Sequence, residues 1–347
     1  NVGGAGNPAR SDDGYVTAYL WENVLKREMF LAILQRYISR QEEEKLSIIV
    51  DKHGREKEVT EKSVKIIFPR YHQLDVVEKL VADTSASGSG TNYLIQHSAG
   101  SGKSNSIAWL TYRLAALHNS GQKNVFNTVF VITDRRVLNK QLQDTILGFD
   151  HIDGQIETIT DNDKSSILKD VINNDNTRIV ITTLHRFPII YKELTSRSGK
   201  KYAVIVDEAH SSQSGKSAEK LKAALADTDE ALREYAELEE KEAEELEKEK
   251  DALMEDLLSQ GQHSNLSFYA FTATPKPKTL QTFGVLTEKS ENPEDDKYTA
   301  YHNYSMLQAI EEGFIKDVLK YYTTYDTTYE IAKRVEDNPE YEETPAT

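Results

Sequence analysis

The sequence has no cysteine among its 347 residues, which excludes disulfide bridges and thiolate metal sites and fits a reducing compartment such as the cytoplasm. It has no uninterrupted apolar run near the ~18 residues that a membrane-spanning helix needs. Its polar opening, NVGGAGNPARSDDG, lacks the basic-then-apolar order of a secretory signal. Internal repeats are missing as well. Nor is there a basic surplus, since 42 Lys and Arg stand against 57 Asp and Glu, a net charge of −15. That excess is local: residues 229–256 hold fourteen acidic and four basic side chains, which leaves −5 for everything else. Local patches and backbone donors can still hold phosphates on a mildly acidic body. What is present, 38% apolar and 29% charged residues, is the make-up of a soluble globular protein with room for roughly two domains.

The segment 19–38, YLWENVLKREMFLAILQRYI, places Leu20, Val24, Leu31, Leu34 and Ile38 at helical spacing, which predicts one amphipathic helix. SIIVDKHGREKEV then reads as a short hairpin turning at His53 and Gly54, followed by a strand-like KIIFP. From residue 69 onward short apolar runs alternate with helical patterns. TNYLIQ (91–96), TVFVIT (128–133), RIVITT (178–183), YAVIVD (202–207) and LSFYAFT (266–272) are the strands; SIAWLTYRLAAL, VLNKQLQDTIL and SSILKDVI are the helices. Such alternation predicts an α/β fold with a parallel sheet covered on both faces, whose ligands bind at the carboxyl ends of the strands. Residues 216–258 interrupt the rhythm with a long polar helix, a solvated arm in which Leu225, Leu232, Leu246 and Leu253 share a heptad position with Glu239. The acidic tail EDNPEYEETPAT has the composition of a disordered segment.

HSAGSGKS, residues 97–104, follows a strand and opens a helix. Glycines at 100 and 102 let backbone N–H groups curl around phosphate oxygens, Lys103 would reach the outer phosphates, and Ser104 would place a hydroxyl on Mg2+. By itself the stretch also reads as a Gly-Ser turn capping an ordinary helix, and its first position is His97 where the strict pattern has Gly. VIVDEAH, residues 204–210, ends a buried strand with adjacent carboxylates. Asp207 would hold Mg2+ and Glu208 would activate the water that attacks the γ-phosphate. His210 reads either as a coupling residue or as a helix-start histidine bonded to a neighbour. FTATP (271–275) supplies Thr272 and Thr274 as hydroxyls at a strand tip, and PRYHQ (69–73) offers Arg70 and an amide, Gln73, able to read an adenine edge.

PRYHQ, HSAGSGKS, TDRRVLNKQ, ITTLHRF, DEAHSSQSG and FTATPKPKTLQTFG, in this order over roughly residues 15–325, resemble superfamily 2 helicases and, more closely, the motor subunit of type I restriction enzymes. The resemblance allows His97 at the head of the loop. It implies a RecA-like P-loop NTPase domain using ATP and Mg2+: Gln73 and Arg70 on adenine, Ser98, Gly100, Ser101, Gly102 and Lys103 on phosphates, Ser104 and Asp207 on the metal, and Glu208 as catalytic base. It further implies Thr272, Thr274 and His210 as couplers, and Thr133, Arg135, Thr182 and Thr183 as sequence-blind contacts to DNA phosphates. Residues 1–68 would be a connecting module, 69–286 the first RecA-like domain with an acidic insertion at about 216–262, and 287–347 a linker and the beginning of a second such domain. The partners implied are double-stranded DNA and the methylation and specificity subunits.

The family's nuclease residues are not found. Glu43-Glu44-Lys45 fits the (Asp/Glu)-x-Lys pair that the resemblance would ask of the nuclease, but falls at a predicted helix end within a charge run. YSMLQAIEEGFIKDVLKYYTTY resembles the link into a second motor domain, yet no Gln-Gly-Arg-Arg motif follows it. The expectation is a motor fragment that binds nucleotide better than it hydrolyses it. Two rivals stay open: a strand-separating superfamily 2 helicase, against which SQSG and KTLQTFG speak, and a nucleotide- and DNA-binding regulatory module whose working surface is the acidic arm. A small-molecule P-loop kinase leaves TDRR, ITT and TATP unexplained.

Overall fold

A computed structural model of the chain describes residues 17–50, 56–133, 136–149, 154–159, 173–183, 199–207, 263–290 and 296–317, with a few single positions beside them. The acidic arm and the predicted helix at SSILKDVI fall largely or wholly outside the described residues.

The single helix expected over 19–38 is two pieces. A π-helical turn, Leu20–Val24, ends in Leu25, and Lys26 is extended (ψ 138°) before α1, Arg27–Arg36. The break destroys the common helical phase, so the expected stripe does not form: Leu31 and Leu34 are half exposed, at 52% and 48%. Burial falls instead on Ile33 and Tyr37, one turn apart. The Trp109 indole donates to the Tyr37 carbonyl (3.0 Å), while the Tyr37 hydroxyl (2.6 Å) and Arg113 (2.6 Å) both donate to Glu78. These bonds fasten α1 to the main body. The hairpin is also longer than expected. Strands β1, Ser39–Val50, and β2, Glu56–Ile67, pair antiparallel over their whole length and take up both Glu43-Glu44-Lys45 and most of KIIFP. In the backbone register Glu44 pairs with Lys62, and Lys45 with Glu61.

The main sheet has seven strands, all parallel, in the order β11-β3-β8-β7-β4-β6-β5. They are β3 (Tyr93–His97), β4 (Thr128–Thr133), β5 (Ile156–Ile159), β6 (Ile179–Thr183), β7 (Tyr202–Val206), β8 (Leu266–Thr272) and β11 (His302–Tyr304). A small separate pair, β9 (Val285–Glu288) and β10 (Lys297–Thr299), lies between β8 and β11 in the chain. Five of the seven are the predicted apolar runs. Their side chains alternate between two cores: Val129, Val131, Ile179, Ile181, Ala203, Ile205, Tyr269 and Phe271 enter one, and Phe130, Ile132, Val180, Val204, Val206, Phe268 and Ala270 the other. That is the two-residue pleat of a strand buried on both faces. Helices α2 (Tyr71–Ser87), α3 (Lys103–Ala115) and α4 (Arg136–Leu147) contribute to the first core, and Phe283 of α5 (Pro277–Phe283) to the second. Truncating one central ring, such as Phe130→Ala, costs about 3–5 kcal/mol.

Strand β5 and the edge strand β11 were not read from the sequence. β11 comes from the stretch 287–347, beyond the expected boundary at 286, and is followed by α6, Met306–Glu311. Ser305 caps α6 reciprocally: its hydroxyl accepts from the Gln308 amide (3.2 Å), and the Gln308 side chain accepts from the Ser305 N–H (2.8 Å).

Candidate nucleotide site at the carboxyl edge

The loop Ser98–Gly102 joins the end of β3 to the start of α3, so its amides lie at the positive end of a helix. Gly100 (φ +75°) and Gly102 (φ +82°) are both left-handed, the conformation that a curl of N–H groups requires. Lys103 is the first helical residue and its ammonium rests on the His97 carbonyl at 3.4 Å. Ser104 is half buried beside it. The hydroxyls of Ser98 and Ser101 are buried without a hydrogen-bond partner among the described residues. Orphaned donors around a glycine curl, with a lysine at its rim, fit the oxygens of a phosphate chain.

Gln73 is buried under this loop. Its side-chain oxygen accepts from the Arg70 N–H (2.9 Å), and its amide nitrogen donates to the carbonyls of Gly102 (2.9 Å) and Ser101 (3.3 Å). In this arrangement it fastens the loop to α2, where the sequence suggested an adenine reader. Next to it, the His72 ring donates from Nε2 to the Ser101 carbonyl (3.0 Å) and stacks on Tyr304 at 3.8 Å. Burial drives the His72 pKa down to about 4, and the Ser101 carbonyl recovers only part of that. His97, fully buried, is held neutral by burial and by the neighbouring His302, His72 and Lys103.

The segment after β11 closes one side of the loop. The Ser98 N–H donates to the Tyr304 carbonyl (2.9 Å), the Tyr304 hydroxyl donates to Glu312 (2.7 Å), and Arg70 lies 3.8 Å over the Phe314 ring. Burial and the Glu312 carboxylate both raise the Tyr304 pKa, so the phenol stays protonated. Beside this strap a cavity of about 530 Å³ is walled by Tyr19, Phe68, Arg70, Tyr71, Glu312 and Phe314. Flat rings, a guanidinium and a carboxylate around that volume suit a nucleobase. None of Tyr19, Phe68, His72, His302, Tyr304, Glu312 or Phe314 was singled out from sequence. The Ser305-x-x-Gln308 box was the one local signal available there.

The remaining expected residues follow the sheet order. Because all seven strands are parallel, the loop, Asp207, Thr272, Thr133 and Thr183 reach the same carboxyl edge. β8 lies between β3 and β7 and carries Thr272, in register with Gln96. Two strand spacings, about 10 Å, therefore separate the loop strand from the Asp207 strand. Asp207 directly follows β7, is half buried, and donates its N–H to the Ile132 carbonyl (2.9 Å). Thr272 is buried and Thr274 exposed on the turn beyond it. Thr133 pairs in register with Thr183, and its hydroxyl reaches the Thr182 carbonyl at 3.5 Å; all three threonines are buried. Glu208, His210 and Arg135 lie outside the described residues.

Against known families, a model described as SWI2/SNF2 ATPase matches residues 72–344. The chain belongs to the SWI2/SNF2 ATPase family. It is thus a helicase-type ATPase domain, and the seven-stranded parallel sheet with its P-loop is the RecA-like fold expected of one. No curated protein matches the chain. Among solved structures it is similar to a DEAD box protein from the hyperthermophile Methanococcus jannaschii, at 18% identity and TM-score 0.34, over 60% of this chain and 45% of that one. It is also similar to the Hef helicase domain of Pyrococcus furiosus, at 14% identity and TM-score 0.34, over 60% of this chain and 34% of that one. The chain thus spans less than half the length of either. Family membership and the glycine curl agree on a nucleotide ligand.

Proposed function

We propose that this SWI2/SNF2 ATPase domain is the first motor domain of a type I restriction enzyme's motor subunit, which uses ATP to draw double-stranded DNA past a complex anchored by methylation and specificity subunits. The observation that supports it most is the shared carboxyl edge: the glycine loop, the β8 threonine and Asp207 stand on neighbouring strands in the motif order of such motors. Gly100, Gly102 and Lys103 would hold the phosphates, and Ser98 and Ser101 would lend hydroxyls that have no partner among the described residues. The aromatic cavity beside Arg70 would take the adenine. Ser104 and Asp207 would hold Mg2+, whose bound charge offsets that developing on the phosphates. Glu208 would orient and deprotonate the attacking water. Thr133, Arg135, Thr182 and Thr183 would serve the DNA side of the same edge, with Thr272, Thr274 and His210 between the two.

The specific extensions SQSG after DEAH and KTLQTFG after TATPKP favour the restriction motor over other motors of the superfamily. A displacement assay on the complex reconstituted with its methylation and specificity subunits tests it. A duplex translocase strips a triplex-forming third strand, with ATP, without releasing single strands. Release of single strands from a forked duplex would assign the chain to a strand-separating helicase instead.

A further inference from the structure

The loop begins with a histidine where a glycine would supply no side chain at all, and that buried ring starts a chain of hydrogen bonds that runs outward to the surface. Asp75 of α2 accepts from His302 Nε2 (3.0 Å) and from Lys79 (2.7 Å). Burial would raise the Asp75 pKa, but these two donors outweigh it and keep the carboxylate ionised. With its Nε2 proton committed to Asp75, the His302 ring presents Nδ1 as an acceptor, 2.8 Å from His97 Nε2. The partners thus assign the proton of His97 to Nε2, and its Nδ1 is buried with no partner among the described residues. His97 is 0% exposed, and its carbonyl receives the Lys103 ammonium at 3.4 Å. One residue further, the loop is tied to the same edge strand through Ser98 N–H and the Tyr304 carbonyl (2.9 Å).

We propose that His302 and Asp75 are positioning residues for the nucleotide phosphates, acting through His97: the Asp75–His302–His97 relay holds the first peptide of the loop, and with it the carbonyl on which Lys103 rests. The inference rests on the reading of the loop as a nucleotide site and adds to it a strand, β11, that lies outside the loop and helix. Without His302, the His97 ring keeps a buried N–H and a buried lone pair and satisfies neither. It must then turn or admit water, and the peptide that starts the curl turns with it.

The test is a thermodynamic cycle on the 347-residue chain, reading ATP-Mg affinity by displacement of a fluorescent ATP analogue, with thermal melts alongside. His302→Ala is expected to weaken binding about tenfold, the value of one buried hydrogen bond, and Asp75→Asn to weaken it in the same direction. His302→Gln, which keeps an acceptor for His97, is expected to restore affinity to within about threefold. In a His97→Gly background there is no ring to hold, so adding His302→Ala is expected to leave affinity unchanged. A purely structural histidine would lower the melting temperature in both backgrounds without this coupling. Equal losses with and without His97, or no loss in the wild-type background, would overturn the proposal. Imidazole 15N spectra give a second readout that needs no nucleotide and covers the case in which His302→Ala does not fold: Nε2 protonation of His97 is expected, and an Nδ1-protonated His97 would overturn the relay. A wild-type chain that binds no ATP-Mg while showing the expected tautomers would refute the nucleotide-site reading instead.

Discussion

Gly102→Ala probes the seam between α2 and the phosphate loop. Gly102 has φ +82°, and an alanine held in the left-handed region costs about 1–2 kcal/mol. Its β-carbon would also stand 2.5 Å from the Gln73 side-chain nitrogen. A free glutamine would swing away at little cost. This one is bonded to the Arg70 N–H and to the carbonyls of Ser101 and Gly102, so yielding means losing up to three bonds at about 1 kcal/mol each. The total is about 3–5 kcal/mol, a fall in melting temperature of about 10 °C for a domain of this size. Two glycines calibrate the estimate. Gly88→Ala (φ +76°, ψ −150°) meets nothing within 4 Å and should show a backbone cost alone, about 1–3 kcal/mol for a conformation essentially confined to glycine. Gly100→Ala (φ +75°) meets only the Ile315 Cγ2 methyl, at 2.8 Å, which can turn aside, and should fall between the two. Thermal melts by circular dichroism, paired with ATP-Mg affinity, read the series. If Gly102→Ala melts no lower than Gly88→Ala, Gln73 is not holding the loop and the reasoning fails.

The His72 ring, at about 4 against an ordinary 6.5, binds its proton more readily in the unfolded chain, so its contribution is complete above pH 6.5 and fades as pH falls toward 4. Urea unfolding at pH 7.5 and 5.0 should differ by about 2 kcal/mol from this group, and His72→Gln should flatten the profile; an unchanged slope in the variant rules the ring out. Lys103→Ala should abolish ATP-Mg binding measured by calorimetry, since it removes the ammonium at the rim of the glycine curl that would meet the outer phosphates; residual tight binding would move the phosphate site elsewhere. Trp109→Phe should cost about 1–3 kcal/mol in urea unfolding through loss of its bond to the Tyr37 carbonyl, and a neutral result would detach α1 from the body. The 347 residues contain no Gln-Gly-Arg-Arg stretch, the motif that in the motors this sequence resembles would supply an arginine to the charge developing on the γ-phosphate, so this polypeptide by itself should hydrolyse ATP slowly whether or not DNA is added; brisk DNA-stimulated turnover in a phosphate-release assay would refute the need for that arginine.

The strands that could be read from sequence are those whose two faces are both buried, because TVFVIT or YAVIV carries its signal in every residue. β5 and β11 escaped because edge strands of four and three residues carry too little pattern. The glycine loop was legible since its chemistry is local and contiguous. Its supports were not: His302 meets the loop across 205 residues of chain and Asp75 meets His302 across 227, Tyr304 is equally remote in sequence, and a lone His or Tyr in sequence does not announce its partner. The helix over 19–38 failed for a different reason. Its spacing was genuine, but docking through Trp109 selected Ile33 and Tyr37, and the break at Lys26 removed the face that the spacing predicts.

The two shortest members of the main sheet are the ones at its margins. A row of unpaired amides and carbonyls is a template on which another chain can add a strand, and its hazard grows with its length. Long, strongly apolar ladders such as β4, β7 and β8 stand in the interior with both flanks occupied. Among the described residues the outer flanks belong to β11, with three residues, and β5, with four, so these margins offer a stray strand very little to zip onto. This guards against self-association in a sheet whose central segments would otherwise be prone to it.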